Sequence, residues 1–444
     1  MERVALVLSA GGLRGAAHVG VIKAFERVGL LEHIHVVAGA SAGAIVGAIL
    51  ASGASVQAME QAVLSLKAAS CEELLDVNSA GLRDVVCAGD VRRFHGLINA
   101  QAITNLVERN LTHIRRFSDY ASLSPEQRGK VKDLLLTGVN LDTGAKTVFC
   151  DTSRYTAYDR GVLCGNLSVA EAVRASSAEP GVVTPFVCPG VTGCACGGQR
   201  QTYVDGAVCE SCPIKLAVEL AGCTRVLAVN LGYAGDRVQT VTAQGLVEII
   251  TQSIGIMGTQ CFDADLQYLA RQVADGDLAV SVHIINPRVY DMGTLDFQRL
   301  PEAIMRGEDA GEWFLSEADR RLHIMKPDGG VDIDALFSAP GVFMYNYPDP
   351  EREIRRQRLQ AELADPRARA AGPCHIERDI SRIGALAVAA VISVSLALFT
   401  VGGLVGLRLK PNAASPSDVF VFWDFGLLLF LIGWVIIYLL LRLW

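Results

Sequence analysis

Short apolar runs followed by small-residue turns open this chain. Val4–Leu8 is an uninterrupted apolar run, which predicts a buried strand. In Ala16–Val28 the apolar residues recur at helical spacing on one face. A β-branched run before Gly39 predicts a second strand, and the alanine-rich series after Ser41 predicts a second helix. The first fifty residues therefore read as strand, loop, helix, strand, sharp turn and helix.

The pattern resumes in the second half of the globular part. Ile214–Ala221 reads as a helix and Arg225–Leu231 as a strand. A long helical stretch follows at about Thr240–Ala274, and Leu278–Ile285 reads as another strand. Residues 326–350 contain three glycines and four prolines, which predicts an irregular segment.

Two apolar stretches lie near the C-terminus. Ile383–Leu407 contains no charge between Arg382 and Arg408, and it is longer than the roughly 20 residues that span a bilayer core. Val419–Leu441 is a similar stretch with one aspartate near its start, at Asp424. We predict two transmembrane helices joined by a short polar turn. A helical hairpin packed inside the protein is the alternative.

The arginines around these stretches predict an orientation. Residues 351–382 contain eight arginines, whereas the turn at residues 408–418 carries only two positive charges. Because positively charged flanks stay on the cytoplasmic side, the large N-terminal part is expected in the cytoplasm. The arginines of residues 351–381 either contact anionic lipid headgroups or form a solvated charged helix.

Composition excludes several classes of protein. The 444 residues are 51% hydrophobic and 20% charged, which is enough for a large core and excludes a disordered chain. The net charge of −7 argues against nucleic acid as a partner. The first residues enter a strand-like run directly, so we expect no secretion signal.

The turn after the second predicted strand has the spacing of a nucleophile elbow. Gly39, Ser41 and Gly43 form a G-x-S-x-G sequence between a strand and a helix. Glycines there permit a tight turn, and the N-terminus of the helix favours developing negative charge. Ser41 is therefore the candidate nucleophile. A surface serine in a small-residue turn is the alternative.

The loop after the first strand is also rich in glycine. A dinucleotide site would need an acidic residue at the end of the second strand, where this chain has Ser41. We instead predict an oxyanion hole from the backbone N–H groups of Gly11, Gly12 and Leu13. Arg14 either adds a positive field or holds the loop, and we favour the second role.

The candidate bases are histidine or aspartate. His283, His323 and His375 follow both the elbow and any candidate aspartate, but none of them sits in a convincing motif. His283 lies within a strand pattern, where a packed histidine is expected. Asp205 ends a β-like run and is followed by Gly206, which can turn the chain. A desolvated aspartate can act as a general base, so Asp205 is preferred.

Together these motifs resemble the patatin-like phospholipase family. The resemblance rests on the order of three motifs along residues 1–325: Gly11-Gly12-x-Arg14-Gly15, Gly39-x-Ser41-x-Gly43 and Asp205-Gly206-Ala207. Asn140–Gly144, Val173–Pro180 and Leu300–Ile304 also agree with the family. Where the family has a first loop glycine, this chain has Ala10, whose methyl group either leaves the oxyanion-hole loop unchanged or shifts it.

The resemblance implies both a fold and a chemistry. It implies a three-layer α/β/α domain, with Ser41 as nucleophile, Asp205 as base and the glycine loop as oxyanion hole. We therefore expect a patatin-like domain at residues 1–325, a connector at 326–381 and a transmembrane hairpin at 382–444. The expected function is a membrane-anchored phospholipase or lysophospholipase that acts on acyl lipids of a bilayer. No cofactor is expected.

Five cysteines surround the predicted base. Cys188, Cys194, Cys196, Cys209 and Cys212 could supply four thiolates to a structural zinc ion. Buried cysteine also serves as a small apolar residue, which is the preferred interpretation.

Two other function classes stay open. One is a Ser–His–Asp esterase of different specificity, which would depend on a histidine such as His283 or His323. The other is a catalytically silent membrane scaffold, in which Ser41 would not react with an active-site serine probe.

Overall fold

The computed structural model describes residues 2–68, 95–188, 200–232, 246–294 and 296–348. Within these ranges ten strands form one mixed sheet: β1 (Val4–Leu8), β2 (Ile34–Gly39), β3 (Asp133–Asn140), β4 (Lys146–Phe149), β5 (Val162–Cys164), β6 (Phe186–Cys188), β7 (Gln201–Asp205), β8 (Arg225–Val229), β9 (Ser281–Asn286) and β10 (Gly341–Asn346). The predicted strands at the start of the chain and before the long helix are confirmed.

The α-helices of the described residues connect these strands. They are α1 (Ala16–Arg27), α2 (Ala42–Ala51), α3 (Val56–Ala68), α4 (Gln101–Asn110), α5 (Pro125–Lys130), α6 (Val169–Ser176), α7 (Leu246–Ala274), α8 (Leu300–Leu322) and the single turn α9 (Ile333–Leu336). The helix expected at Ile214–Ala221 is a π-helical turn at Leu216–Leu220. Its backbone hydrogen bonds therefore span one residue more than those of an α-helix.

The sheet is parallel through its middle and antiparallel beside the predicted base. Its main order is β10-β9-β8-β1-β2-β3-β4-β5, and β7 pairs with both β3 and β6. The neighbours from β10 to β3 are parallel, whereas β3 runs antiparallel to β4 and β7. The carboxyl ends of β1, β2 and β8 therefore meet at one edge, where the glycine loop and Ser41 follow.

Successive strand residues pack on opposite faces of the sheet. In β1, Leu6 and Leu8 belong to one buried cluster, and Ala5 and Val7 belong to another. Helices α1, α2, α6 and α8 contribute to the first cluster, and α7 contributes to the second. Helices thus cover both faces, and the expected three-layer α/β/α architecture is confirmed.

One side of β3 is shared by two strands. Its first half pairs with β2, which ends opposite Leu136, and its second half pairs with β7, which ends opposite Gly138. The two partner strands run in opposite directions, and positions two residues apart on β3 are separated by about 7 Å. The chain after β2 and the end of β7 therefore meet at one point.

The expected irregular segment contains part of the sheet. Gly341–Asn346 is β10, which pairs in parallel with β9, and Tyr345 within it is 2% exposed. The glycines and prolines of residues 326–350 suggested a loop, but they flank a short run with aromatic and β-branched residues that packs on α8. The interpretation of residues 326–350 as wholly irregular was wrong, since the sheet continues to residue 346.

Across the described ranges, which stop at residue 348, no helix combines the length and the apolar character that crossing a membrane requires. The predicted spans at 383–407 and 419–441, and the arginines of 351–382, lie outside those ranges.

Candidate active site

Ser41 lies in the sharp turn between β2 and α2. Its backbone has φ 52° and ψ −118°, a conformation that is rare for a residue with a side chain. Two close contacts explain the flanking glycines: a Cβ at Gly39 would lie 2.5 Å from the Gly43 carbonyl oxygen, and a Cβ at Gly43 would lie 2.1 Å from the Leu8 carbonyl oxygen. The predicted strand, turn and helix around Ser41 are confirmed.

Two serines at the end of α6 hold this turn. The Ser41 N–H donates to Ser176 Oγ at 3.0 Å, and Ser177 Oγ donates to the Ser41 carbonyl at 3.3 Å. Both serines are buried. A backbone outlier of this kind typically costs about 1–3 kcal/mol and persists where its surroundings fix it. These two contacts keep Ser41 in that conformation.

Asp205 reaches Ser41 from the end of β7. Its carboxylate hydrogen-bonds to the Ser41 side chain and accepts the Ala207 N–H at 2.8 Å. The Asp205 N–H donates to the Ala178 carbonyl at 3.0 Å, which fixes its backbone. Gly206 is required next to it, because a Cβ there would lie 2.4 Å from the Thr137 carbonyl oxygen. The two residues that sequence placed 164 positions apart are therefore in contact.

Burial controls the acidity of Asp205. The residue is 2% exposed, and loss of water around the carboxylate raises its pKa to about 7. The hydrogen bonds from Ser41 and Ala207 act in the opposite direction, and the negative charge of Glu179 adds to the rise. A carboxylate with this pKa binds a proton far more readily near neutral pH than an exposed one.

The glycine loop lies beside Ser41. In the described structure the N–H groups of Gly11 and Gly12 have no hydrogen-bond acceptor, whereas the Leu13 N–H donates to the Thr294 carbonyl at 2.8 Å. Gly12 has φ +57°, and a Cβ there would lie 2.6 Å from the Thr294 oxygen. Gly11 and Gly12 therefore keep donors for an oxyanion, while the third predicted donor, Leu13, is bonded to Thr294.

Ala10, which stands where the family has a glycine, is hydrogen-bonded to a neighbouring segment of the fold. The Ala10 N–H donates to the Ser211 carbonyl at 2.7 Å. Ser9, one residue earlier, donates its own N–H to Val229 at 3.1 Å and accepts the Leu231 N–H on its hydroxyl at 2.8 Å. The loop begins from fixed backbone positions.

Arg14 binds the glycine loop on the side opposite to the Gly12 N–H. Its Nε donates to the Gly11 carbonyl at 3.0 Å, and its guanidinium lies 4.7 Å from the centre of the Tyr290 ring. In a trans peptide the C=O and the following N–H point in opposite directions. Binding the Gly11 carbonyl therefore turns the Gly12 N–H away from Arg14. This contact agrees with a structural role for Arg14.

A cavity of about 170 Å³ has Ser41 and Gly12 in its wall. Most of the remaining wall is aliphatic and comes from α1 to α4, through Val19, Ile45, Val46, Ile49, Met59, Val63, Leu66, Ile103 and Leu106. Its polar side chains are Ser41, Ser177, Glu179 and Thr294. Such a cavity accepts a hydrocarbon chain next to a reacting ester.

The candidate histidines are placed elsewhere. His283 lies in β9 and is in register, across β8 and β1, with Val37 of β2. Three strand spacings, about 14 Å in total, therefore separate it from β2. It is 1% exposed and interacts with Ser281 and Tyr345, and burial lowers its pKa to about 4. His323 is exposed at the C-terminus of α8. Neither residue contacts Ser41, and His375 lies outside the described residues.

The cysteines of the possible zinc site lie apart where they are described. Cys188 belongs to one buried cluster and Cys212 to the cluster on the opposite face of the sheet. A single ion cannot bind both. Within the described ranges, no three His, Cys, Asp or Glu residues are grouped to hold a metal. Cys194 and Cys196 lie outside those ranges, so a site that includes them stays a prediction.

Comparison with known families identifies the domain. A family model for patatin-like phospholipases matches residues 6–218, a stretch that contains the glycine loop, Ser41 and Asp205. These residues form a patatin-like phospholipase domain. The resemblance seen in the sequence is thereby confirmed for this part of the chain.

Curated relatives match this chain over a short stretch. Lysophospholipase nte1 of Aspergillus fumigatus is 48% identical over 56 residues, which cover 13% of this chain and 4% of that protein. Lysophospholipase nte1 of Emericella nidulans is 50% identical over a stretch of the same length, again 13% and 4%. The match thus spans only a small part of these much longer proteins.

Solved structures resemble the chain at low identity. VipD from Legionella pneumophila is 14% identical with a TM-score of 0.38, covering 95% of this chain and 90% of VipD. Human GIVD cytosolic phospholipase A2 is 13% identical with a TM-score of 0.32, covering 57% and 48%. Both TM-scores are too low to establish a shared fold.

Several residues of the site have no signature of their own in the sequence. Ser176, Ser177 and Glu179 lie within the stretch Val173–Pro180, which matched the family without revealing their roles. Thr294 lies outside the motifs altogether. Their positions around Ser41 and the glycine loop arise from packing between segments far apart in the chain.

The Arg14 contact gives a first prediction. Arg14→Lys keeps the positive charge but removes the Nε donor to the Gly11 carbonyl, so the Gly12 N–H loses its fixed direction. We expect kcat on a soluble aryl ester to fall by about tenfold or more, with KM changed less than about twofold, because an oxyanion donor acts in the transition state. Full activity of this variant would show that Arg14 acts through its charge alone.

Proposed function

We propose that this protein is a membrane-anchored serine lipid acyl hydrolase of the phospholipase or lysophospholipase type, with Ser41 and Asp205 as a catalytic dyad. The proposal rests chiefly on one observation: the Ser41 side chain, on the wall of an aliphatic cavity, hydrogen-bonds to a buried carboxylate whose pKa is raised to about 7. The match of residues 6–218 to the patatin-like phospholipase model supports the same class of reaction.

In the proposed acylation step, the Ser41 Oγ bonds to the ester carbonyl carbon while Asp205 accepts the proton of the Ser41 hydroxyl. The carbonyl π electrons move onto oxygen, and the N–H groups of Gly11 and Gly12 stabilise that negative charge. Collapse of the tetrahedral intermediate breaks the ester C–O bond. Asp205 returns the proton to the leaving alcohol, and the acyl group stays on Ser41.

In the proposed deacylation step, water takes the place of the leaving alcohol. Asp205 accepts a proton from the water, whose oxygen bonds to the acyl carbonyl carbon, and the same loop stabilises the second oxyanion. The Ser41 Oγ leaves and recovers its proton from Asp205. The products are a free fatty acid and the original enzyme, and no cofactor takes part.

The cavity supports an acyl chain as the bound group. Its aliphatic wall matches a hydrocarbon chain, whose burial contributes about 0.8 kcal/mol per methylene. The curated relatives are named lysophospholipases, which supports a lysophospholipid or phospholipid substrate.

The membrane anchor is proposed from the C-terminal sequence. Ile383–Leu407 and Val419–Leu441 are long enough to cross a bilayer, and the arginines of residues 351–382 favour a cytoplasmic position for the patatin-like domain. An anchored domain meets lipid at high effective concentration, so its own affinity for the bilayer can be weak.

The dyad predicts non-additive losses. We expect Ser41→Ala and Asp205→Asn each to remove nearly all ester hydrolysis, and the double variant to be little worse than either, because the two residues act as one unit. The measurement is kcat/KM on a lysophospholipid, with lipidomics of membranes incubated with wild type and Ser41→Ala. Losses that multiply in the double variant would contradict the dyad.

Two controls separate this proposal from the other function classes. His283→Gln should keep catalysis if the protein folds, whereas a Ser–His–Asp esterase that uses His283 would lose it. Labelling by a fluorophosphonate probe should occur in wild type and disappear in Ser41→Ala, because the probe requires an activated serine. An unlabelled wild-type protein would favour the silent scaffold.

The raised pKa of Asp205 predicts a pH profile. Asp205 must be ionised to accept the Ser41 proton, so kcat/KM should rise with pH and level off above the pKa of about 7. Activity should therefore fall about tenfold for each pH unit below that value. Rate measurements on a soluble ester from pH 5 to pH 9 test this, and a midpoint near the ordinary aspartate value would contradict it.

Truncation tests the anchor and the end of the domain. A fragment of residues 1–350 keeps β10, so we expect it to be soluble, active on dispersed short-chain esters and weaker on bilayer substrates. A fragment of residues 1–325 loses β10 and exposes the apolar face of α8, so it should aggregate. Retention of the 1–350 fragment in the membrane fraction would argue against a C-terminal anchor.

A further inference from the structure

Glu179 is an acidic side chain in the wall of the cavity that contains Ser41. It is the charged member of a lining that is otherwise apolar or carries hydroxyl groups. The backbone fixes its place, because the preceding Ala178 carbonyl accepts the Asp205 N–H at 3.0 Å. The Glu179 carbonyl also accepts the N–H groups of Val182 and Val183 at 3.1 and 2.8 Å. The carboxylate therefore sits beside the catalytic pair at a rigid turn.

The groups around the Glu179 side chain come from three segments. Thr251 of α7 donates a hydrogen bond to its carboxylate, and Arg14 of the glycine loop stabilises its charge without forming a direct ion pair. Burial raises the pKa of Glu179, whereas Thr251 and Arg14 act against that rise. Asp205 is the nearby acidic group, and the charge of Glu179 in turn raises the pKa of Asp205.

A negative charge at this place affects ligands by their own charge. The aliphatic wall attracts any hydrocarbon chain, but the end of the chain that lies at Ser41 also lies near Glu179. An ester carbonyl there is uncharged, whereas a fatty-acid product carries a carboxylate. Inside a low-dielectric cavity, like charges a few ångströms apart repel by an amount that corresponds to about tenfold or more in affinity.

We propose that Glu179 is a specificity-determining residue that excludes anionic groups from the Ser41 end of the cavity, so that neutral acyl esters bind and the fatty-acid carboxylate is expelled. Its importance for turnover rests on the proposed acyl hydrolysis. Its effect on binding does not, because ligands without an ester can report it. The exclusion of anions by Glu179 and the proposed acyl hydrolysis can therefore fail separately.

The test uses three ligands that share an eight-carbon chain and differ in charge. Octanoate, octanol and octylammonium are titrated at pH 8.5 against a neutral fluorescent alkyl probe bound to the full-length protein in nonionic detergent, with a detergent blank. Wild type should bind octylammonium most tightly and octanoate most weakly. In Glu179→Gln, octanoate should bind about tenfold more tightly, octylammonium should bind correspondingly more weakly, and octanol should stay within about twofold.

The difference between the two proteins isolates Glu179, because Asp205 is ionised in both at this pH. Thr251→Val is the matched control: it removes the hydrogen bond to Glu179 and keeps the charge, so the ratio of octanoate to octanol affinity should stay near the wild-type value.

Three results would overturn the proposal. The first is an equal change in the affinity of all three ligands in Glu179→Gln, and the second is an unchanged affinity for octanoate in that variant. The third is a Thr251→Val variant that reproduces the Glu179→Gln pattern. If Glu179→Gln does not fold, Glu179→Ala removes the same charge. If neither variant folds, the order of the three affinities in wild type tests the proposal, because octanoate that binds as tightly as octanol would exclude the repulsion.

Discussion

The edge of β3 that is shared by β2 and β7 is the constraint on which the site depends. β2 runs parallel to β3 and ends opposite Leu136, and β7 runs antiparallel and ends opposite Gly138. Because both partners compete for the same row of β3 backbone groups, each can extend only to where the other begins. The nucleophile turn and the acidic residue are thereby brought together by main-chain hydrogen bonds rather than by a flexible loop.

The site keeps strained and desolvated groups in place through many small contacts. Ser41 occupies an unfavourable backbone conformation that Ser176 and Ser177 hold from α6. Asp205 is buried with few hydrogen bonds, so its carboxylate retains the proton affinity that a base requires. Both features lower stability locally, and the large core on the two faces of the sheet compensates for them.

Charge near the reacting atoms is arranged asymmetrically. Arg14 is used to orient the Gly11 peptide, so its positive charge lies behind the loop, whereas Glu179 faces the cavity. A ligand at Ser41 therefore meets two neutral amide donors and two acidic side chains, whereas the Arg14 guanidinium binds the Gly11 carbonyl. This arrangement suits a substrate that is neutral at the ester and develops negative charge only at the carbonyl oxygen.

Elements whose signal is local can be predicted from the sequence alone. Glycine spacing around Ser41 and the apolar run of β1 follow from steric limits and periodicity within a few residues, and both were predicted correctly. The partner of Ser41 could be proposed as Asp205 from motif order, but their contact depends on pairing between distant strands. The contact of Ser177 with Ser41, the position of Glu179 on the cavity wall, the addition of β10 to the sheet and the separation of Cys188 from Cys212 were decided only in three dimensions. Each depends on long-range packing and strand order, which no local pattern of residues encodes.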